Sequence, residues 1–145
     1  MVTGSFPDLC AGDVAASVAW YSTLLELDIV VDHGWYAELG VGSRTLIAFV
    51  QSGHETVPQA AGRAPTGMLV SFEVDDAIAV AARADLLGLD LLLAPTVELG
   101  QRHLMVTDPD GAVVDVIERV PLARGDMARL AALRRRHAEV TASCR

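Results

Sequence analysis

Cysteine is almost absent from this chain of 145 residues, which holds 2. Cys10 falls in a strand-like stretch and Cys144 at the tail, with no CxxC or other metal spacing, so neither a disulfide framework nor a thiolate metal cluster is available. Both read as free thiols in a reducing cytosol, with Cys10 buried and inert because no cationic residue stands near it in sequence. Basic side chains are scarce too: 11 Lys and Arg against 19 Asp and Glu give a formal charge of -8. That is the wrong sign for neutralising phosphates and argues against nucleic acid and anionic membrane as partners. No apolar run approaches the roughly 20 residues of a spanning helix, and the opening segment has neither a basic start nor an apolar stretch of signal-peptide length. GxSxG, GxxxxGK[ST] and GxGxxG are missing, and Gly40-Val41-Gly42 stands in a hairpin context, without the strand-turn-helix setting of a phosphate loop. The expectation is a cytoplasmic protein that is neither a triad hydrolase nor a nucleotide-phosphate binder.

What is present is apolar residue, 52% of the chain, with 21% charged. A chain of this length can bury roughly two-thirds of its unfolded surface around one core. Charge is unevenly spread, because Arg124, Arg129, Arg134, Arg135, Arg136 and Arg145 crowd the end and leave the body before them more acidic than the whole. A cationic or neutral small ligand suits such a body.

Residues 5–11 read as a strand, followed by Asp13 as an N-cap and Val14, Val18, Tyr21, Leu24 and Leu25 at helical spacing. Strands follow at residues 29–31, 35–39 and 45–50. Residues 51–66 are rich in Gly, Pro and polar residues and read as a linker. The pattern then restarts: a strand at 68–74, a helix capped by Asp75-Asp76 and running to about Leu87, then strands at 89–93, 101–107 and 112–119. Leu24-Leu25-Glu26-Leu27-Asp28 matches Leu86-Leu87-Gly88-Leu89-Asp90, and Asp13 matches Asp75, at one constant offset. An internal duplication is the simplest explanation. The expected architecture is α+β: two tandem βαβββ modules at about 5–50 and 67–119, within a domain of residues 1–121, forming a curved mixed sheet with its helices outside. Residues 122–145 add a C-terminal helix, expected over 122–138, and a tail. Its stripe of Leu122, Met127, Leu130 and Leu133 suits either docking on its own domain or a contact with another subunit.

The duplicated unit, the opening Asp13-Val14-Ala15-Ala16-Ser17-Val18-Ala19-Trp20-Tyr21, and Gly100-Gln101-Arg102-His103 through Asp108-Pro109-Asp110-Gly111 together resemble the vicinal oxygen chelate superfamily, the glyoxalase, bleomycin-resistance and extradiol-dioxygenase group. The likeness spans residues 5–119. In the DPDG segment Asp108 suits a hydrogen bond to the backbone ahead, Pro109 presets φ, and Gly111 closes the turn; its acids read as structural. The resemblance implies a cup between curved sheets, completed in a homodimer, and a divalent metal held by one residue from the first and last strand of each module. Those four places fall at Phe6, Ala48, Leu69 and Asp115, and only Asp115 can ligate. No metal and no cofactor are therefore expected.

Strand alternation sets Phe6, Asp8 and Cys10 on one face, Val113, Asp115 and Ile117 on one face, and Ser71 and Glu73 with Leu69. Asp8 and Glu73 are either cup-facing or at strand ends in solvent or at a subunit seam. Phe6, Trp35, Tyr36 and Phe49 are candidates for stacking on a ligand or for core, whereas Trp20 and Phe72 read as core. Of the histidines, His103 is the one placed to reach a pocket, and His54 reads as a solvated loop residue. The ligand-binding set is thus Phe6, Asp8, Trp35, Tyr36, Phe49, Glu73, His103 and Asp115. An acidic, aromatic-lined cup resembles the bleomycin-resistance branch, which implies sequestration of a cationic or aromatic natural product. The competing expectation is a metal-independent isomerase, epimerase or cyclase with Asp115 as general base, and a third is an interaction module with an empty cup.

Overall fold

The computed structural model describes residues 1–143, with side chains described through Arg135; Cys144 and Arg145 lie outside the described residues. The chain runs β1 (Asp8–Ala11), α1 (Val14–Leu25), β2 (Asp28–Asp32), β3 (Tyr36–Val41), β4 (Arg44–Gln51), then β5 (Leu69–Glu73), α2 (Ala77–Leu86), β6 (Leu91–Glu98), β7 (Gln101–Thr107), β8 (Val113–Arg119) and α3 (Arg124–Ser143). The strands form two four-stranded mixed sheets, ordered β1-β4-β3-β2 and β5-β8-β7-β6. In each, the first strand pairs in parallel with the last and the other pairs are antiparallel. This is an α+β fold of two βαβββ modules with a C-terminal helix.

Local chemistry explains the helix limits. Asp13 caps α1 by accepting from the Ala16 amide at 3.0 Å, and Asp76 caps α2 by accepting from Ile78 and Ala79. The caps are Asp13 and Asp76, one residue off the offset that matched Asp13 to Asp75, and α1 has 12 residues where α2 has 10.

One core serves both modules. Tyr21 is fully buried, its ring 4.8 Å from Phe49 of β4 and 6.0 Å from Phe72 of β5, so a single aromatic of α1 touches both sheets. Val114 and Val116 of β8 are likewise fully buried, as expected for a strand face covered by helices. Polar contacts fix the same junction at both ends of α1. The Tyr21 hydroxyl donates to Asp108 at 3.0 Å, Asp110 accepts from the Gly12 amide at 2.9 Å, and the Arg83 Nε of α2 donates to the Leu24 carbonyl at 2.9 Å. Gly111 takes a φ of 85°, and Asp108 accepts from the Asp110 and Ala112 amides, so the DPDG turn is built as its residue types predict and clasps the other module.

Three elements differ from the sequence reading. The first strand begins at Asp8, so Phe6 precedes it and is 41% exposed. Expected to end at Leu93, β6 runs on through Pro95 to Glu98; it is an edge strand, where a missing N–H costs no ladder bond. The C-terminal helix extends beyond the expected span, to Ser143.

Candidate functional site

On the first sheet, the register aligns Asp8 with Ala48, Cys10 with Val50, Tyr36 with Val50 and Glu38 with Ala48. These residues therefore share one face, while Phe49 and Leu39 point to the core. Over that face lies a cavity of about 370 Å³, with Asp8, Cys10, Trp35, Tyr36 and Val50 on the strand side. Its opposite wall is Thr56, Val57, Pro58 and Ala61. Residues 51–66 are thus more than a linker. They are tied across the sheet: the Ser52 amide donates to the Ala11 carbonyl at 2.8 Å, the Ser52 hydroxyl to Gly62 at 2.8 Å, and the Cys10 thiol to Ala61 at 2.8 Å. His54, expected in solvent, is half-buried and stacks on Trp35, with ring centroids 4.0 Å apart and planes within 3°.

The lining includes the carboxyl of Asp8, and Glu38 stands on the same sheet face beside it, both opposite Ala48. Glu38 accepts from the Tyr36 hydroxyl at 2.9 Å and from the Thr45 hydroxyl, which hold its carboxylate in place. Partial burial, with Glu38 nearby, raises the Asp8 carboxyl above its ordinary value. Burial and the bond to Glu38 push the Tyr36 phenol up to about 12. Burial and Asp8 raise the Cys10 thiol, so it is not an activated thiolate. Among the described residues, no Arg, Lys or His side chain lines the cavity. Sequence reasoning missed Glu38, although it shares the parity of Tyr36. It also missed the wall made by residues 56–61, for which the sequence offers no periodic signal.

The second sheet carries a different constellation. Asp115 is 7% exposed and faces away from Val114 and Val116. Its register partners are Ser71 and Met105, and His103 pairs with Ile117 one step along. The His103 Nδ1 lies 3.4 Å from Asp115 Oδ1, an oxygen with no hydrogen bond among the described residues. A buried carboxylate beside an imidazole can hold or move a proton. Arg102 on the neighbouring strand is engaged elsewhere, donating to both oxygens of Glu118 at 2.8 Å.

The eight residues expected to bind ligand therefore separate. Asp8, Trp35 and Tyr36 meet at the first cavity; His103 and Asp115 meet on the second sheet. Glu73 is exposed and paired with Arg119 at 2.9 Å. Phe49 is 1% exposed and belongs to the core, because its strand position points toward Tyr21. Phe6 lies ahead of β1 and lines neither group.

At the four positions that the resemblance assigns to a divalent metal, the side chains are Phe6, Ala48, Leu69 and Asp115. One oxygen-bearing group does not make a catalytic metal site, and among the described residues no three His, Cys, Asp or Glu side chains gather closely enough to hold an ion. The donor set does not fit the metal.

Comparison with known proteins agrees with the architecture. The family model described as Glyoxalase/Bleomycin resistance protein/Dioxygenase superfamily matches residues 5–116. No curated protein matches the chain. Among solved structures, a protein of unknown function from Agrobacterium tumefaciens str. C58 superposes with a TM-score of 0.67 at 24% identity, covering 83% of this chain and 96% of that one. TioX from Micromonospora sp. ML1 gives 0.67 at 19%, covering 81% and 100%. Lactoylglutathione lyase from Agrobacterium tumefaciens gives 0.61 at 19%, covering 81% and 94%. At these identities the likeness is one of fold. Among the described residues no helix is long and apolar enough to cross a membrane.

Proposed function

Because the chain belongs to the glyoxalase/bleomycin resistance protein/dioxygenase superfamily, we propose that it is a metal-independent binding protein of that fold, sequestering a cationic or aromatic natural product in the cavity of its first module. The observation that carries this reading is a carboxylate, Asp8, set in a cavity with Trp35 and Tyr36 and with no basic side chain among the described residues of the lining. A cationic ligand supplies the missing countercharge. A charge-assisted hydrogen bond to Asp8 contributes about 1.5–3 kcal/mol, and an aromatic face adds about 0.5–2 kcal/mol through cation–π attraction. The apolar wall of Val57, Pro58 and Ala61 covers the ligand's uncharged part.

A thermal-shift screen of cationic aromatic compounds tests this, run on the wild type and on Asp8→Asn. Hits should raise the melting temperature of the wild type, lose most of the effect in the variant, and return with unchanged mass and retention time. Hits that stabilise both proteins equally would remove Asp8 from the site.

A second reading rests on Asp115, whose unpartnered, buried oxygen lies beside His103. There the carboxylate acts as general base for an isomerisation, epimerisation or ring closure. It predicts product with altered retention time, abolished in Asp115→Asn, while binding at Asp8 persists.

A further inference from the structure

Trp35 forms part of the first cavity's strand wall, but its backbone leaves the ring free to turn. It stands in the bend between β2 and β3, where its carbonyl accepts from the Gln51 amide at 2.7 Å, and the residue is 38% exposed. The Tyr36 ring is a loose neighbour, 5.8 Å away and tilted by 44°. His54 is a close one. Its imidazole lies on the indole with centroids 4.0 Å apart and planes within 3°, and among the described residues the cavity lining does not include His54. His54 therefore covers one face of the indole from outside, and the cavity meets what it leaves free, the opposite face and the edge.

The same imidazole reaches the other wall. Its Nδ1 is 2.9 Å from the Thr56 hydroxyl and accepts from the Thr56 amide at 3.4 Å, and Thr56 belongs to the wall opposite the strands. Backbone bonds set the ring between the two walls. The His54 amide donates to the Gln51 carbonyl at 3.0 Å and the Val57 amide to the His54 carbonyl at 2.9 Å, while Gly53, at a φ of 77°, supplies the turn. One side chain thus holds the indole by its flat face and residues 56–61 by its accepting nitrogen.

Ordering a free side chain on binding costs affinity, so a ring fixed beforehand costs its ligand less. That benefit goes to a ligand that lies flat against the indole. An ammonium group reaches Asp8 whether or not Trp35 is fixed. We propose that His54 is a positioning residue of this cavity, holding Trp35 as a stacking platform, and that it thereby selects flat aromatic cations over saturated ones. The inference deepens the binding reading above and rests on it for the ligand's charge.

Calorimetric titration of the full chain with a matched pair of amines tests it: 2-naphthylmethylamine, which is flat, and its saturated decahydro counterpart, which is puckered. The wild type should bind the flat amine more tightly. His54→Ala should weaken the flat amine about fivefold, within the range for ordering one free side chain, and the saturated amine by no more than about twofold. His54→Phe, which returns a flat ring to the indole, should recover most of the loss, and Asp8→Asn should weaken both amines alike. Without ligand, the near-ultraviolet circular dichroism that Trp35→Phe removes should also be lost in His54→Ala and kept in His54→Phe, with melting curves showing each variant folded. A tryptophan band unchanged in His54→Ala would overturn the positioning role. Equal loss of the two amines would overturn the selectivity and leave the cavity a binding site. If neither amine binds the wild type, the ligand reading and the selectivity fall together, and the tryptophan band still decides whether His54 holds the ring.

Discussion

Tyr21→Phe tests the junction between the modules with the loss of one oxygen. The ring is fully buried and keeps its contacts with Phe49 and Phe72, so the substitution removes the hydroxyl and little packing. What disappears is the 3.0 Å bond to Asp108 Oδ2, made to a carboxylate whose residue is 7% exposed. Hydrogen bonds to charged groups contribute about 1.5–3 kcal/mol. Asp108 Oδ1 retains the Asp110 and Ala112 amides, which places the expected loss at about 2 kcal/mol. For a domain of this size that lowers the melting temperature by roughly 8 °C, at about 4 °C per kcal/mol. Urea unfolding should show a lower midpoint with an unchanged slope, since the surface exposed on unfolding is the same. In an Asp108→Ala background the same substitution should cost much less, because its partner is already gone. A loss below about 0.5 kcal/mol, the range of ordinary surface substitutions, would refute the claim that this bond joins the modules.

Arg83→Met removes the donor to the Leu24 carbonyl at the other end of α1 and should cost about 1 kcal/mol in the same unfolding assay. Both tyrosines resist ionisation, Tyr36 pushed up to about 12 and Tyr21 further by burial and Asp108; near-ultraviolet absorbance at about pH 10.5, where free tyrosine is mostly phenolate, should show little phenolate until the protein unfolds. The Asp8 carboxyl is raised from its free value of 3.8, so the native state holds its proton more tightly than the unfolded state. Its stability contribution is complete below 3.8 and is lost as pH rises through the raised value. Asp8→Asn should therefore match the wild type in acid and gain slightly on it toward neutral pH. A cationic ligand should bind more weakly as pH falls through the same window and release protons there, measurable by titration calorimetry in buffers of different ionisation enthalpy.

The chain's order of elements was legible because it rests on local chemistry. Asp13 and Asp76 cap their helices through side-chain oxygens a few atoms away, and Val114, Asp115 and Val116 alternate because successive residues of a strand point to opposite faces. The same locality let DPDG be read as a turn. It gave no indication that Asp108 receives the Tyr21 hydroxyl, a contact between residues 87 positions apart.

The sequence by itself determined the two repeated modules and the acidic body with its basic end, since each follows from residue types and their spacing along the chain. Tertiary structure alone decided which candidates meet. It placed Phe49 in the core and Asp8 in the cavity, because the direction of a strand face depends on where the helices pack. It also brought His54 onto Trp35 and made residues 56–61 a wall. An aperiodic segment carries no signal for the surface it will cover, and its position is fixed by contacts with residues far away in sequence.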